Sequence, residues 1–275
     1  MYIIQFNGFT LQNDTNYSIN KLDGISRVPT RVSEDDLTGF DGGNIWARKR
    51  GMRTITIGGE IVSDDISDYY DKRDALTDAF SIDAAVEVLT ITKSDGTSRS
   101  VNAKVIETPQ FDETEGEKGM CVYEIVLKCE DPLFYESIAV TGTLAPSTPG
   151  GTPVPTPVPF PVGGAPSTLT IVNDGDVEGY ARFDIQGQIQ NPIVTNQSTS
   201  ESFQITTNIL SGETVNVFRD STGLNVLNGT TNYMSYLDGD LFPLRVGTNT
   251  IAFNGSSYDG SALLTVTFYK RYQKL

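Results

Sequence analysis

Carboxylates are the side chains best suited to chemistry in this 275-residue chain, which carries 35 Asp and Glu, 20 Lys and Arg, and no histidine. Without imidazole it can build neither a Ser-His-Asp triad nor a Cys-His pair, and it offers no histidine ligand to zinc or haem. The acidic runs at 34–36 and 113–117 could supply the paired carboxylates of a glycosidase. Both runs lie in polar, glycine-flanked stretches without an aromatic frame, so we expect no enzyme, no cofactor and no metal site.

A possible calcium loop begins at Asp174. Residues 174–179 read Asp-Gly-Asp-Val-Glu-Gly, which matches the first half of an EF-hand loop. The twelfth position of that loop should be a bidentate Glu but is Ile185, and the flanking residues favour strands rather than helices. The segment therefore predicts a turn and not a calcium site.

One basic cluster interrupts the acidic chain. It comprises Trp46, Arg48, Lys49, Arg50 and Arg53. Such residues could contact phosphate or nucleic acid, but a single aromatic side chain beside four cations gives that interpretation little support. The net charge of -15 also opposes broad nucleic-acid binding. Acidic subunits that associate with their own copies need compensating cations, and Arg suits interfaces, so we favour a self-association surface.

The elements that position these residues are mostly strands. Apolar residues alternate with period two at 54–61 and 86–91, and the turn residues at 94–97 predict a hairpin. One segment differs, because apolar residues at 66, 69, 70, 76 and 80 have helical spacing. Acidic residues are concentrated at the start of this predicted helix, where the helix dipole stabilises negative charge. We therefore interpret them as helix-capping and solvated residues and not as a cation site.

A proline-rich segment divides the chain by composition. Residues 145–166 hold eight of the thirteen prolines, several spaced by two, which is typical of an extended polyproline spacer. We therefore predict domains at 1–144 and 167–275, joined by a linker at 145–166 that tethers the outer domain loosely. The second domain consists of short strands separated by turns, which predicts an antiparallel β-sandwich.

Cys121 and Cys129 bracket one predicted strand, so their sulfurs should lie about 26 Å apart and form no disulfide. The N-terminus lacks the basic and apolar regions of a signal peptide, and no segment approaches 18 consecutive apolar residues. We expect the protein to be made in a reducing cytoplasm.

Several motifs occur in an order that resembles a known family. In the N-terminal part they are at 6–9, 37–43 and 53–61, followed by the helix with Arg73 and Leu76. In the C-terminal part they are at 173–176, 181–187, 191–192, 210–213 and 246–251. Together they resemble the distal tail protein family of long-tailed bacteriophages. Ala181 and the stretch 245–249 depart from the usual pattern, which has Pro and Pro-Gly-x-Asn there.

The resemblance implies a structural role. Members of the family form a homohexameric ring at the virion tail tip, which joins the tail-tube protein to the baseplate hub. The implied fold is mainly β: a tail-tube-like β-barrel or sandwich with one flanking helix, then a galectin-like antiparallel β-sandwich. DNA would pass through the ring without specific binding. An acidic lumen suits that passage, and residues 1–144 carry 11 of the 15 net negative charges.

A binding module is the main alternative. In this interpretation the second domain binds a host-surface glycan or a receptor-binding protein, and the first domain only attaches it to the tail. Sugar sites commonly use aromatic faces, and the candidates in this domain are Tyr180, Tyr233, Tyr236 and Tyr258.

Overall fold

The computed structural model describes residues 2–13, 17–36, 39, 41–83, 85–112, 120–146, 168–220 and 222–275. Strands account for 61% of the structure, which confirms a mainly β fold, and these residues contain one α-helix and no closed barrel. The chain divides into two compact units. Residues 1–137 and 272–275 form the first unit, and residues 138–271 form the second.

The first unit is built on an antiparallel sheet with the strand order β2-β1-β7-β8-β9-β6-β3. A tenth strand, β10, pairs with β8, and β4 pairs only with β5 among the described strands. The strands are β1 (Tyr2–Phe6), β2 (Phe9–Gln12), β3 (Lys21–Asp23), β4 (Thr30–Asp36), β5 (Gly43–Arg50), β6 (Arg53–Val62), β7 (Glu87–Lys93), β8 (Ser98–Asp112), β9 (Met120–Cys129) and β10 (Phe134–Glu136).

Helix α1 (Ile66–Ala79) covers the core of the first unit, close to the range that the apolar spacing predicts. It begins after Asp65, whose side chain accepts a hydrogen bond from the Ser67 amide and so caps the first turn. Its buried face includes Tyr69 and Leu76. Phe80, which follows the helix, stacks on Phe6 with ring centroids 5.0 Å apart. The apolar face of the helix is therefore held on the sheet by aromatic packing.

Gly59 of β6 lies against backbone that leaves no room for a side chain. A Cβ at Gly59 would lie 1.8 Å from the carbonyl oxygen of Ser18 and 2.7 Å from the Tyr123 hydroxyl. The Tyr123 hydroxyl itself donates a hydrogen bond of 2.6 Å to that same carbonyl. Gly59 is thus required because any side chain would displace the 18–20 segment from β6.

The second unit is an antiparallel sandwich. A six-stranded sheet has the order β11-β26-β14-β19-β20-β21, and a five-stranded sheet has the order β12-β24-β16-β17-β22. Phe183 of the first sheet meets Phe203 of the second edge to face at 5.3 Å, within the core between them. Two smaller sheets, β13-β23 and β18-β15-β25, complete the unit. The galectin-like form of this sandwich stays a prediction.

The strands of the second unit are short. They are β11 (Val140–Leu144), β12 (Thr168–Asn173), β13 (Gly179–Tyr180), β14 (Arg182–Gln186), β15 (Ile189–Gln190), β16 (Ile193–Asn196), β17 (Glu201–Ile205), β18 (Asn208–Ile209), β19 (Thr214–Asp220), β20 (Gly223–Asn228), β21 (Thr231–Asn232), β22 (Leu237–Gly239), β23 (Pro243–Leu244), β24 (Gly247–Asn254), β25 (Ser257–Tyr258) and β26 (Leu263–Phe268). A 3₁₀ helix spans Met234–Tyr236, and β27 (Arg271–Tyr272) lies where the chain returns to the first unit.

The proline-rich segment has a different place from the one its composition suggests. Strand β11 pairs along its whole length with β26, so residues 140–144 belong to the sheet of the second unit rather than to the first domain. The next described strand, β12, also belongs to the second unit. The predicted linker, of which residues 147–167 lie outside the described residues, therefore connects two strands of one unit and does not lead from one unit to the other.

Candidate self-association surface

The hairpin formed by β4 and β5 is the most exposed element of the first unit, and we call it the arm. Every side chain from 30 to 36 and from 43 to 50 is exposed to solvent. The Gly51 amide closes the base of the arm with a 2.8 Å hydrogen bond to the Pro29 carbonyl. Because a two-stranded hairpin is only marginally stable in water, a hairpin exposed on both faces is well suited to pack against a partner.

Trp46 lies at an irregularity in the arm. Ser33 pairs with Ala47 and the next residue, Glu34, pairs with Ile45, so Trp46 is the extra residue of a β-bulge. Its side chain is 69% exposed, and Ile45 beside it is 63% exposed. The chain's one tryptophan therefore adds to an apolar patch on the arm, the kind of feature that marks an interaction surface.

Charges are segregated along the arm. The half nearest the body, which we call the base, holds four cations, and the far half, which we call the tip, holds four carboxylates. The base consists of Arg31, Arg48, Lys49 and Arg50, and the tip of Glu34, Asp35, Asp36 and Asp41. Within the described part of the chain, none of these eight side chains forms an ion pair. Of the two acidic runs considered for a glycosidase, the run at 34–36 lies on this exposed tip. The second run, at 113–117, lies outside the described residues.

Arg53 is separated from the rest of the basic cluster, because its side chain is completely buried. The guanidinium donates hydrogen bonds to four carbonyl oxygens: those of Pro132 and Gln273 at 2.7 Å, that of Arg27 at 3.2 Å, and that of Gly24. It also lies 4.6 Å from the centre of the Phe134 ring. Burial lowers the pKa of Arg53, as expected for a cation removed from water.

This position makes Arg53 a positioning residue for the arm rather than a contact for another subunit. Gly24 and Arg27 precede β4, and Arg53 follows β5, so one buried cation fixes both chain segments that enter and leave the arm. The sequence contains a signal for the burial of Arg53. In the period-two pattern of β6, Arg53 points to the same side as the buried Ile55 and Ile57.

The four candidate tyrosines do not form one platform. Tyr233 and Tyr236 are in contact, with ring centroids 5.1 Å apart, and Asn228 donates a hydrogen bond to the Tyr233 hydroxyl. The ring of Tyr180 instead lies 4.7 Å from the Arg219 guanidinium. Tyr258 packs against the core of the second unit. Only the Tyr233–Tyr236 pair therefore resembles an aromatic surface for a sugar.

The segment expected to be a turn rather than a calcium loop is held by protein contacts. The Asn173 side chain accepts a hydrogen bond from the Gly175 amide, and Asp174 forms a 2.8 Å ion pair with Lys270. That ion pair lowers the pKa of Asp174, mainly through the hydrogen bond from Lys270. Across the described residues, no three His, Cys, Asp or Glu side chains are grouped as a metal site would need. No helix there is long and apolar enough to span a bilayer.

Two family models match the chain. One, for a phage tail protein RIFT-related domain, matches residues 7–118, and the other, for the C-terminal domain of a siphovirus-type tail component, matches residues 174–272. No curated protein matches the chain.

Solved structures of phage tail components share the fold over the whole chain. The crystal structure of the Dit protein of phage SPP1, described as a paradigm of the hub adsorption apparatus in phages that infect Gram-positive bacteria, has a TM-score of 0.70 at 14% identity. That match covers 98% of this chain and 99% of the other. A chain of the phage P2 baseplate in its activated conformation with calcium has a TM-score of 0.53 at 10% identity and covers 100% and 99% of the two chains.

Proposed function

We propose that this chain forms a homohexameric ring at the tail tip. It belongs to the distal tail protein family of siphovirus-type bacteriophages. It is therefore a structural component of the virion tail and not an enzyme. The ring joins the tail-tube protein to the baseplate hub, and DNA passes through its lumen without specific binding. The first unit forms the ring, and the second unit carries the docking surface for other tail-tip components.

The exposed arm is the observation that carries this proposal. An arm whose two faces are both in water leaves Trp46 and Ile45 largely solvated, at 69% and 63% exposure. Burial of apolar surface contributes about 25 cal/mol for each Å² removed from water, and aromatic side chains and Arg are enriched in protein interfaces. Trp46, Arg48, Lys49 and Arg50 are therefore the residues that we assign to contacts between subunits.

Mass in solution tests the ring. Light scattering after size exclusion should give about 180 kDa for six copies of the 29.9-kDa chain, and negative-stain images should show six-fold rings. Trp46→Ala should lower the fraction in rings, whereas Tyr236→Ala, an exposed aromatic change in the second unit, should leave it unchanged. A monomer at all concentrations, alone and with the tail-tube protein, would contradict the proposal.

A second role, glycan recognition by the second unit, is favoured by one observation. Tyr233 and Tyr236 present neighbouring rings, and Tyr236 is 41% exposed. Stacking of a sugar on an aromatic face is a common mode of recognition, and it would use this pair first. Saturable binding of the full chain to a bacterial polysaccharide array should be lost in Tyr236→Ala and kept in Tyr180→Ala; equal binding by both variants would contradict this role.

A further inference from the structure

The arm carries equal numbers of cations and carboxylates, and the outermost of them lie too far apart to pair within one copy. Asp36 pairs in register with Gly43 at the tip, and Lys49 pairs with Arg31 at the base. These two levels are five residues apart along β4, or about 16 Å at roughly 3.3 Å per residue. Ion pairs need contact distances of about 4 Å, so the outermost cations and carboxylates of one arm need partners from elsewhere.

The apolar residues lie where the two charged halves meet. Val32 pairs with Arg48, Ile45 pairs with Glu34, and Trp46 lies between these levels, all three being exposed. From its root to its end the arm therefore changes from cationic to anionic, with apolar side chains around the change. A second copy of the same arm offers complementary charges at both ends, but only in certain arrangements.

Two arms that lie side by side and point the same way place cations beside cations and carboxylates beside carboxylates, which is repulsive. Two arms that lie antiparallel match their charges, but this isologous contact closes on itself as a dimer. A head-to-tail contact, with the tip of one arm on the base of the next, also matches the charges and is heterologous, so it can continue around a ring.

We infer that the arms lie head to tail around the ring, with the acidic tip of each copy on the basic base of its neighbour. This inference rests on the proposed ring and adds the direction and the partners of the contact. Glu34, Asp35 and Asp36 of one copy then pair with Arg48, Lys49 and Arg50 of the next. Trp46 is covered as each arm overlaps its neighbour.

Cross-linking distinguishes the arrangements. The variant with both Asp36→Cys and Lys49→Cys, treated with a short bis-maleimide, should give a ladder on a denaturing gel that extends to six copies. Antiparallel pairs would instead stop at two copies. The native Cys121 and Cys129 are buried and should not react, and Asp36→Cys alone, which lacks the second site, should give no ladder beyond two copies.

Charge reversal supplies the second test. Reversal of the base (Arg48→Glu, Lys49→Glu, Arg50→Glu) or of the tip (Glu34→Lys, Asp35→Lys, Asp36→Lys) should each reduce the ring to monomer. The two reversals combined in one chain should restore it, because the charges match again. Asp238→Lys with Asp240→Lys, at exposed sites in the second unit, changes the net charge in the same direction as the tip reversal and should not disturb the ring.

The outcomes separate this inference from the proposed function. A ring of wild-type mass that gives no six-copy ladder, or that survives either single reversal, overturns the head-to-tail contact and leaves the ring intact. A chain that forms no ring at all overturns both. Restoration by the combined reversal, together with the ladder, supports the contact as stated.

Discussion

Arg53 and Gln273 are joined by a 2.7 Å hydrogen bond from the guanidinium Nη2 to the backbone carbonyl, across 220 positions of sequence. The same guanidinium binds the carbonyls of Gly24 and Arg27 just before the arm. One side chain therefore fixes the root of the arm and the last residues of the chain to the body of the first unit. Arg99 reinforces the second attachment, since its guanidinium lies 3.5 Å from the centre of the Tyr272 ring.

Replacement of Arg53 should destabilise the first unit strongly. Arg53→Met keeps apolar contact with Phe134 but leaves several buried carbonyl oxygens without donors, each of which costs about 1–3 kcal/mol when unsatisfied. We expect the free energy of unfolding in urea to fall by about 3 kcal/mol or more. Arg27→Ala, a change at an exposed side chain, should stay within about 0.5 kcal/mol of wild type, and equal losses for the two variants would contradict this role.

Gly59→Ala should be much more costly than Gly58→Ala. The new methyl group at 59 would lie 1.8 Å from the Ser18 carbonyl oxygen, so backbone must move, whereas at 58 it meets the Lys21 Cβ at 3.2 Å, a tight contact that a much smaller shift relieves. Overpacking of this kind typically costs about 1–3 kcal/mol. Thermal unfolding of the two variants measures the difference. If Gly58→Ala lowers the melting temperature as much, the close approach of Ser18 is not the reason for the glycine.

Asn249 should not tolerate an isosteric carboxylate. Its buried amide donates to the Arg245 and Gly247 carbonyls, and its side-chain oxygen accepts from Asn196. Asn249→Asp removes the two donors and places a charge against two carbonyl oxygens, which should cost about 3 kcal/mol. Asn208→Asp, at an exposed site, is the matched control. Urea unfolding followed by far-ultraviolet circular dichroism compares them, and similar midpoints for both variants would count against the buried network.

The stability of the first unit should fall at alkaline pH. Burial raises the pKa of the Cys129 thiol to about 12 and that of the Tyr17 hydroxyl to about 12, above their ordinary values of 9.0 and 10.0. Between the unfolded and folded pKa values, the folded protein therefore keeps protons on these two groups, whereas the unfolded chain releases them. The resulting stability is complete below pH 9 and is lost as the pH rises toward 12.

Urea unfolding at intervals from pH 8 to pH 11 measures this loss. A single fully coupled group contributes a slope of about 1.4 kcal/mol per pH unit above its unfolded pKa. Cys129→Ala should flatten the curve above pH 9, and the slope that remains in this variant belongs to other buried groups such as Tyr17. A profile that is unaffected by Cys129→Ala would remove the thiol from this explanation.

Local signals predicted the local elements. The spacing of Tyr69 and Leu76 predicts α1, and the turn at 94–97 predicts the hairpin of β7 and β8, because the residues that form these elements are neighbours in sequence. The alternation in β6 likewise marks its buried face. These patterns record which side chains meet the core, and such information is present in a short window.

Pairing across long separations left no comparable signal. Val140 of β11 lies opposite Phe268 of β26, and nothing in the residues around either one specifies the other. The proline-rich composition predicts a domain boundary at 145–166, but the chain passes between the two units at 137–138 and 271–272. Sequence alone assigns Arg50 and Arg53 to one basic cluster, because they have the same charge and are three residues apart. In the fold, Arg50 ends the exposed arm and Arg53 begins β6 with its side chain in the protein interior.

The chain passes from the first unit to the second at 137–138 and returns at 271–272, so the second unit is inserted into the first through two covalent connections. A single protease cut at either junction should therefore release no fragment under native conditions, since Arg53 and Arg99 still hold the residues that follow the second junction. The second unit can accordingly be exchanged as a cassette only if a replacement brings both of its ends back to these points. Fusion at one end alone would leave Arg53 without its Gln273 acceptor.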